Sequence, residues 1–250
     1  MTDQHLERVV AFYEQQEVED GRLETDIGRL EVARVHEVMA RVLPPAPARI
    51  LDVGGGTGRY ASDLAALGYE VALIDPVPGH VTTARERAAA GPAFSAEIGD
   101  ARALESADAS VDVVLLFGPL YHLPDPRDRR QALLEARRVL RPGGLLIAMV
   151  ITSTAGALHP LRGDFVDTHF GRIGYFHDPS TVGPEAADAG FSIESVLGLE
   201  GPAWLFDDLA ARWDDPVRRE RILEVARDVE GEPSMFGASP HLLLVARKPG

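Results

Sequence analysis

Apolar residues follow two different rhythms along this chain. At the N-terminal end they recur at helical spacing, through Leu6, Val9, Val10 and Tyr13 and then Leu30, Val32 or Ala33, Val35, Val38, Met39 and Val42. This spacing predicts two helices, the second ended by Leu43-Pro44-Pro45-Ala46-Pro47. Beyond that proline run the apolar residues gather into short continuous stretches separated by amphipathic ones. Strands are predicted over residues 49–53, 69–75, 93–98, 111–117 and 145–152, and helices over 57–67, 79–90 and 127–140. Gly68 and Gly91-Pro92 stop the first two of these helices, and Arg141-Pro142-Gly143-Gly144 reads as the turn from the third into a strand. Strands apolar on both faces fit a parallel sheet covered by helices on either side, with right-handed crossovers.

The tail breaks this alternation. Residues 191–199 and 241–247 read as two more strands, separated by a helical stretch over 204–230 that is too long for a plain crossover. An antiparallel terminal pair is the better expectation. Residues 153–178, rich in Gly and His with weak periodicity, read as a lid or binding loop.

A length of 250 residues with 45% hydrophobic content suits a single α/β domain. Its expected parts are a helical cap (1–47), a ligand-binding core (48–152), the lid-like loop (153–178) and a helical insert before the last strand (201–239). The formal charge of −14 offers no footprint for phosphate backbones or anionic membranes, so a small molecule is the expected partner. There is no cysteine, which removes disulfides and thiolate chemistry. With no apolar run near twenty residues and no signal-peptide pattern, the expected location is cytoplasmic. Lys248 is the single lysine beside many arginines, a bias common in bacterial proteins from GC-rich genomes, and it argues against Schiff-base chemistry.

Chemistry concentrates in Asp52-Val53-Gly54-Gly55-Gly56-Thr57-Gly58, a strand end, glycine turn and helix start. Gly54, Gly56 and Gly58 allow positive φ and close approach of a ligand, which would face free N–H groups at the helix start. Asp75, twenty-one positions after Gly54 at the end of the next predicted strand, suits the two hydroxyls of a ribose. The glycines alone leave the cofactor open, since Gly56-Thr57-Gly58-Arg59-Tyr60-Ala61 also fits the dinucleotide fingerprint G-x-G-x-x-A.

Read from Asp52, the same stretch is D-x-G-x-G-x-G and resembles motif I of the class I methyltransferases that use S-adenosylmethionine (SAM). Three further segments carry the resemblance, in order: Ile98-Gly99-Asp100-Ala101, Phe117-Gly118-Pro119-Leu120-Tyr121-His122, and Arg138-Val139-Leu140-Arg141-Pro142-Gly143-Gly144. Together they span about residues 48–150 and are similar to the small-molecule, UbiE-like branch. The resemblance implies a Rossmann-like, doubly wound seven-stranded sheet whose last strand is antiparallel, with N-terminal helices and cap insertions. It implies SAM as cofactor and S-adenosylhomocysteine (SAH) as product. Asp52, Gly54, Gly56 and Gly58 would then meet the methionyl portion, Asp75 with Pro76 the ribose, and Asp100 with Ala101 the adenine. Phe117, Gly118, Tyr121 and His122 would border the transfer site, Tyr13 would fold over the cofactor, and Arg29 would pair with the methionyl carboxylate, with Arg34 as a second candidate.

His122 is the candidate general base, for acceptors that lose a proton, with His169, His177 and Tyr175 as alternatives. The segment Phe117-Gly118-Pro119-Leu120-Tyr121 lacks the Asn/Asp-Pro-Pro-Tyr/Phe pattern of amino-directed nucleic-acid methyltransferases. Asp164, Asp167, His169, His177 and Asp178 match no standard ligand spacing, and no metal is expected. Trp204, Phe206 and Trp213 suggest room for a moderately hydrophobic acceptor, such as a specialised metabolite. Three alternatives stay open: a SAM-binding enzyme of this fold that does not transfer methyl groups, a nicotinamide oxidoreductase, and a non-catalytic SAM-binding or regulatory module. The single terminal lysine counts against the second, because it precludes a Tyr-x-x-x-Lys pair. Either cap suits a homodimer surface, and the oligomeric state is left open.

Overall fold

The computed structural model describes residues 4–15, 19–158 and 174–250. Strands β1 (Arg49–Val53), β2 (Glu70–Asp75), β3 (Ser95–Ile98), β4 (Val111–Phe117), β5 (Leu140–Ile151), β6 (Ser192–Gly198) and β7 (His241–Arg247) form one seven-stranded sheet in the order β3-β2-β1-β4-β5-β7-β6. The pairs from β3 through β5 are parallel, and β7 runs antiparallel to both of its neighbours. This is the expected doubly wound, Rossmann-like sheet with a reversed last strand. Strand order reverses between β1 and β4, and the carboxyl ends of such strands open the crevice where ligands bind.

The helices are α1 (Gln4–Gln15), α2 (Glu19–Leu23), α3 (Asp26–Val42), α4 (Arg59–Ala66), α5 (Pro78–Ala90), α6 (Pro119–His122), α7 (Pro126–Val139), α8 (Ser153–Leu158), α9 (Val182–Asp188), α10 (Leu209–Asp214) and α11 (Pro216–Val229). Alternation along the strands sends side chains to opposite faces, which builds two cores. On one face Ile50, Leu73, Leu115, Ile147 and Val245 pack beneath α3, α4 and α5. On the other Leu51, Leu116, Leu146 and Leu244 pack beneath α7 and α9.

Several expectations change in detail. The two predicted N-terminal helices are three, because Thr25 starts α3 anew by accepting a hydrogen bond from the Gly28 N–H. Arg141 to Gly144 lie within β5 rather than in a turn before it: the ladder pairs Leu140 with Val111, shifts register, and resumes at Leu145 with Val113. The stretch over 204–230 is a 3-10 turn (Gly201–Leu205) followed by α10 and α11, broken where Asp215 caps α11 and Pro216 begins it. No residue of the insert lines the crevice, although Gly237 near its end packs against Thr154 of α8, just beyond β5. Ala203, Leu209, Trp213, Ile222 and Leu223 form a third core with Leu30 of α3. Most of the proposed lid, together with Asp164, Asp167 and His169, lies outside the described residues.

Candidate active site

The glycine turn after β1 enters the crevice with backbone that L side chains resist: φ is +76° at Gly54, +57° at Gly56 and +83° at Gly58. Gly54, Gly55 and Gly56 line the cleft. Gly58 does not; a Cβ there would fall 2.8 Å from Phe94, so this glycine serves the packing of α4 rather than a ligand. Gly118, at φ +126°, lets the chain leave β4 beside Gly54 and turn into α6.

Asp75 closes β2, and both of its carboxylate oxygens are in use. Oδ2 accepts from the Gly56 N–H at 2.9 Å, and Oδ1 accepts from the Val77 N–H at 2.9 Å and from His80 Nδ1 at 3.2 Å. Pro76 follows on the cleft wall, as do Asp100 and Ala101 after β3. The Asp100 carboxylate is fixed by its fork with Arg102, whose Nη2 lies 2.6 Å from Oδ2.

Asp52 lies beneath the turn rather than on the wall. It is fully buried, neither carboxylate oxygen has a hydrogen-bond partner among the described residues, and a Cβ on Gly55 would meet its Oδ2 at 2.6 Å. Burial, reinforced by the nearby Asp75 charge, pushes its carboxyl up to about 7.

The opposite wall comes from α1, α2, α6 and β5. Tyr13 lines the cleft, packs edge to face on His80 and His122, and shares a 3.0 Å hydrogen bond with His122 Nε2. Phe12 packs edge to face on Tyr13 and does not line the cleft. The His122 carbonyl accepts from His5 Nε2 at 2.8 Å. Phe117, Gly118, Tyr121 and His122 all border the cleft. Burial pushes the His122 imidazole down to about 4, against the pull of Asp75. A ring so far below neutral pH is a weak proton acceptor, which counts against the base role and leaves His122 as part of the wall.

Arg29 does not reach the cleft; it pairs with Asp214 of the insert at 3.0 Å. Arg34 is fully buried behind α3, bonded to the Leu199 carbonyl and paired with Glu37 and Glu230. The arginine that faces the cleft from this region is Arg22 of α2, held 2.6 Å from Glu31. A five-residue helix leaves no periodic signal, which is why sequence reasoning passed over Arg22 and Leu23. His80 was legible in principle, five positions after Asp75 in the first turn of α5. Trp204 and Trp213 are core residues and Phe206 lies under Arg212, so the hydrophobic acceptor inferred from them loses its basis.

A family model described as a methyltransferase domain matches residues 50–144. The ubiquinone biosynthesis O-methyltransferase of Azorhizobium caulinodans is 30% identical over 184 residues, covering 70% of this chain and 69% of that protein. An uncharacterized methyltransferase of Mycobacterium tuberculosis is 39% identical over 110 residues, and there the match spans only 44% of this chain and 42% of the relative. Among solved structures, a SAM-dependent methyltransferase of Thermotoga maritima is similar in fold, with a TM-score of 0.65 over 96% of this chain and 99% of that one at 18% identity. Since the O-methyltransferase relative runs through two thirds of both chains and the cleft opens where the matched motifs meet, this protein belongs to the class I SAM-dependent methyltransferases.

Proposed function

We propose that this chain transfers a methyl group from SAM to a small-molecule acceptor and releases SAH. One observation carries the reading: the glycine turn after β1, Asp75 after β2 and the Asp100-Ala101 turn after β3 open onto a single cleft, with a buried carboxylate beneath it that has no hydrogen-bond partner among the described residues. Such a residue set fits the cofactor. Asp52 offers negative charge under the backbone that would face the methionyl ammonium. Asp75 is fixed by Gly56 and Val77 where ribose hydroxyls can donate to its remaining lone pairs. Asp100, clamped by Arg102, keeps lone pairs for an exocyclic amine.

SAM supplies a methyl group already activated by its sulfonium charge. The protein's share is to hold the acceptor in line with that group and to keep water out, and such positioning is worth roughly 7–11 kcal/mol in favourable cases. Leu6, Val9, Leu23, Tyr121, Leu123 and Met149 give the acceptor end an apolar wall, which fits a small organic molecule. Among the described residues no helix is long and apolar enough to cross a membrane.

Calorimetric titration tests the assignment. SAM and SAH should bind the parent, and Asp75→Asn should weaken both at least about tenfold, the scale of one lost charge-assisted hydrogen bond. Equal affinity in parent and variant, or preference of the parent for NADH over SAM, would refute it.

A further inference from the structure

The Asp75 carboxylate meets one side chain that the motifs do not mark. The chain leaves β2 at Asp75, and the Val77 N–H turns back onto Oδ1 at 2.9 Å before Pro78 opens α5. Proline suits that first helical position, because its missing N–H would have no partner within the helix. His80 therefore falls in the first turn of α5, beside the strand end it has just left. Its Nδ1 lies 3.2 Å from the same Asp75 oxygen, the side chain keeps only 12% of its surface exposed, and the residue lines the cleft. Tyr13 packs edge to face on the ring with centroids 5.1 Å apart, so a residue of α1 braces it.

Counting lone pairs limits what Asp75 can still hold. A carboxylate only accepts, so Nδ1 carries the proton, and each carboxylate oxygen offers about two sites. Oδ1 receives two donors, the Val77 N–H and the His80 Nδ1–H, and is full. Oδ2 receives the Gly56 N–H at 2.9 Å and, among the described residues, keeps one site. Backbone donors on both oxygens also fix the plane of the group, which is 5% exposed and cannot turn to present another edge. Without His80 the carboxylate would have one open site on each oxygen, a match for the two neighbouring hydroxyls of a ribose. With His80 in place the match is to one.

We infer that His80 is a positioning residue for the cofactor: by filling the second site on Oδ1 it leaves Asp75 to grip the ribose through Oδ2, by a single hydroxyl. The inference rests on the methyl-transfer reading above and narrows it, since the second hydroxyl gains nothing from Asp75. The ligand class that follows is a SAM or SAH analogue lacking one ribose hydroxyl, which Asp75 holds as firmly as the parent compound, whereas it loses its grip on the analogue lacking the other.

Calorimetric titration of the full chain with SAH, 2′-deoxy-SAH and 3′-deoxy-SAH tests this. Each is also titrated into Asp75→Asn, whose carbonyl oxygen can still serve Val77 and His80 while its amide nitrogen accepts nothing at the Oδ2 position. An affinity loss seen in the parent and absent from Asp75→Asn belongs to Asp75. One analogue should show such a loss, of about tenfold or more, and the other none. A parent that does not bind SAH overturns the methyl-transfer reading and this inference together. A parent that binds SAH but shows two Asp75-dependent losses, or none, overturns the inference while the SAM reading stands. His80→Leu, set against the same variant carrying Asp75→Asn, should gain a second Asp75-dependent loss of at least about fivefold, because the emptied site on Oδ1 takes the other hydroxyl. A merely structural role would instead weaken SAH and both analogues alike. His80→Asn, whose amide can still donate to Oδ1, should keep the single loss of the parent. A single loss in His80→Leu, or two in His80→Asn, overturns the role of His80; if His80→Leu does not fold, the parent and His80→Asn titrations still decide.

Discussion

Asp52 shows most sharply how one side chain can carry both a cost and a use. Its carboxyl titrates at about 7 in the folded protein against an ordinary 3.8, so the folded state holds a proton that the unfolded chain has released across that interval. Stability contributed in this way is intact below 3.8, declines as pH rises towards 7 and is gone above it. At ~1.4 kcal/mol per unit, the whole effect is at most about 4 kcal/mol. Asp52→Asn should remove the decline in the cofactor-free protein, and urea denaturation at pH 5 and pH 8 checks it: the fall in stability between the two should be smaller in the variant. The pH-independent penalty of burying an amide cancels in that comparison. His122 acts in the opposite sense, since its depressed basicity means that stability is lost as pH falls from 6.5 through about 4. The residue types at 52, 75, 100 and 122 were legible because motif spacing marks them. Their charge states were not, because burial and neighbouring charge set those.

At the scale of elements, the cleft wall formed by Arg22 and Leu23 depends on how α2 sits against the first turn of α3. Gly28 makes that contact: a Cβ there would stand 2.2 Å from the Arg22 carbonyl oxygen and 2.6 Å from the Leu23 Cα. Gly28→Ala must therefore push α2 away and carry Arg22 and Leu23 off the cleft, with an overpacking cost of about 1–3 kcal/mol. Hydrogen exchange should quicken in α2 while β1 and β4 stay protected. Gly21→Ala, where nothing lies within 4 Å, should leave exchange unchanged. Strands β1, β4 and β7 were readable to the residue, since a strand buried within a covered sheet demands a continuous apolar run bounded by turn residues. Helices α2 and α6, of five and four residues, were not, because one turn is too short to show a period.

At the scale of the whole molecule, the insert between β6 and β7 acts as a buttress for α3. Arg34 reaches the Leu199 carbonyl and pairs with Glu37 and Glu230, while Arg41 and Arg227 extend the network to the surface. Arg34→Met should lower the urea midpoint by an amount equivalent to about 1–3 kcal/mol, less than the ~3–5 kcal/mol of a fully buried pair because Arg41 stays on Glu230. SAH at 100 times its Kd should still stabilise the variant by about 2.7 kcal/mol, as it does the parent, because this network lies away from the cleft. An SAH response lost along with Arg34 would show that the insert shapes the ligand site after all.

What the sequence by itself determined was whatever local chain chemistry dictates: apolar strands, the positive-φ glycine turn, an acid at or beside the ends of β1, β2 and β3, and the order of the motifs. These amount to the core of the fold and the side of the cleft built by the ends of β1, β2 and β3. Only the tertiary structure decided that Arg29 faces the insert and Arg22 the cleft, that Asp52 has no hydrogen-bond partner among the described residues, and that Glu31, Glu200 and His241 share one buried corner. The reason is physical. Burial, ion pairing and proton affinity depend on which side chains are brought across long stretches of chain into one low-dielectric space, and no local pattern encodes that meeting.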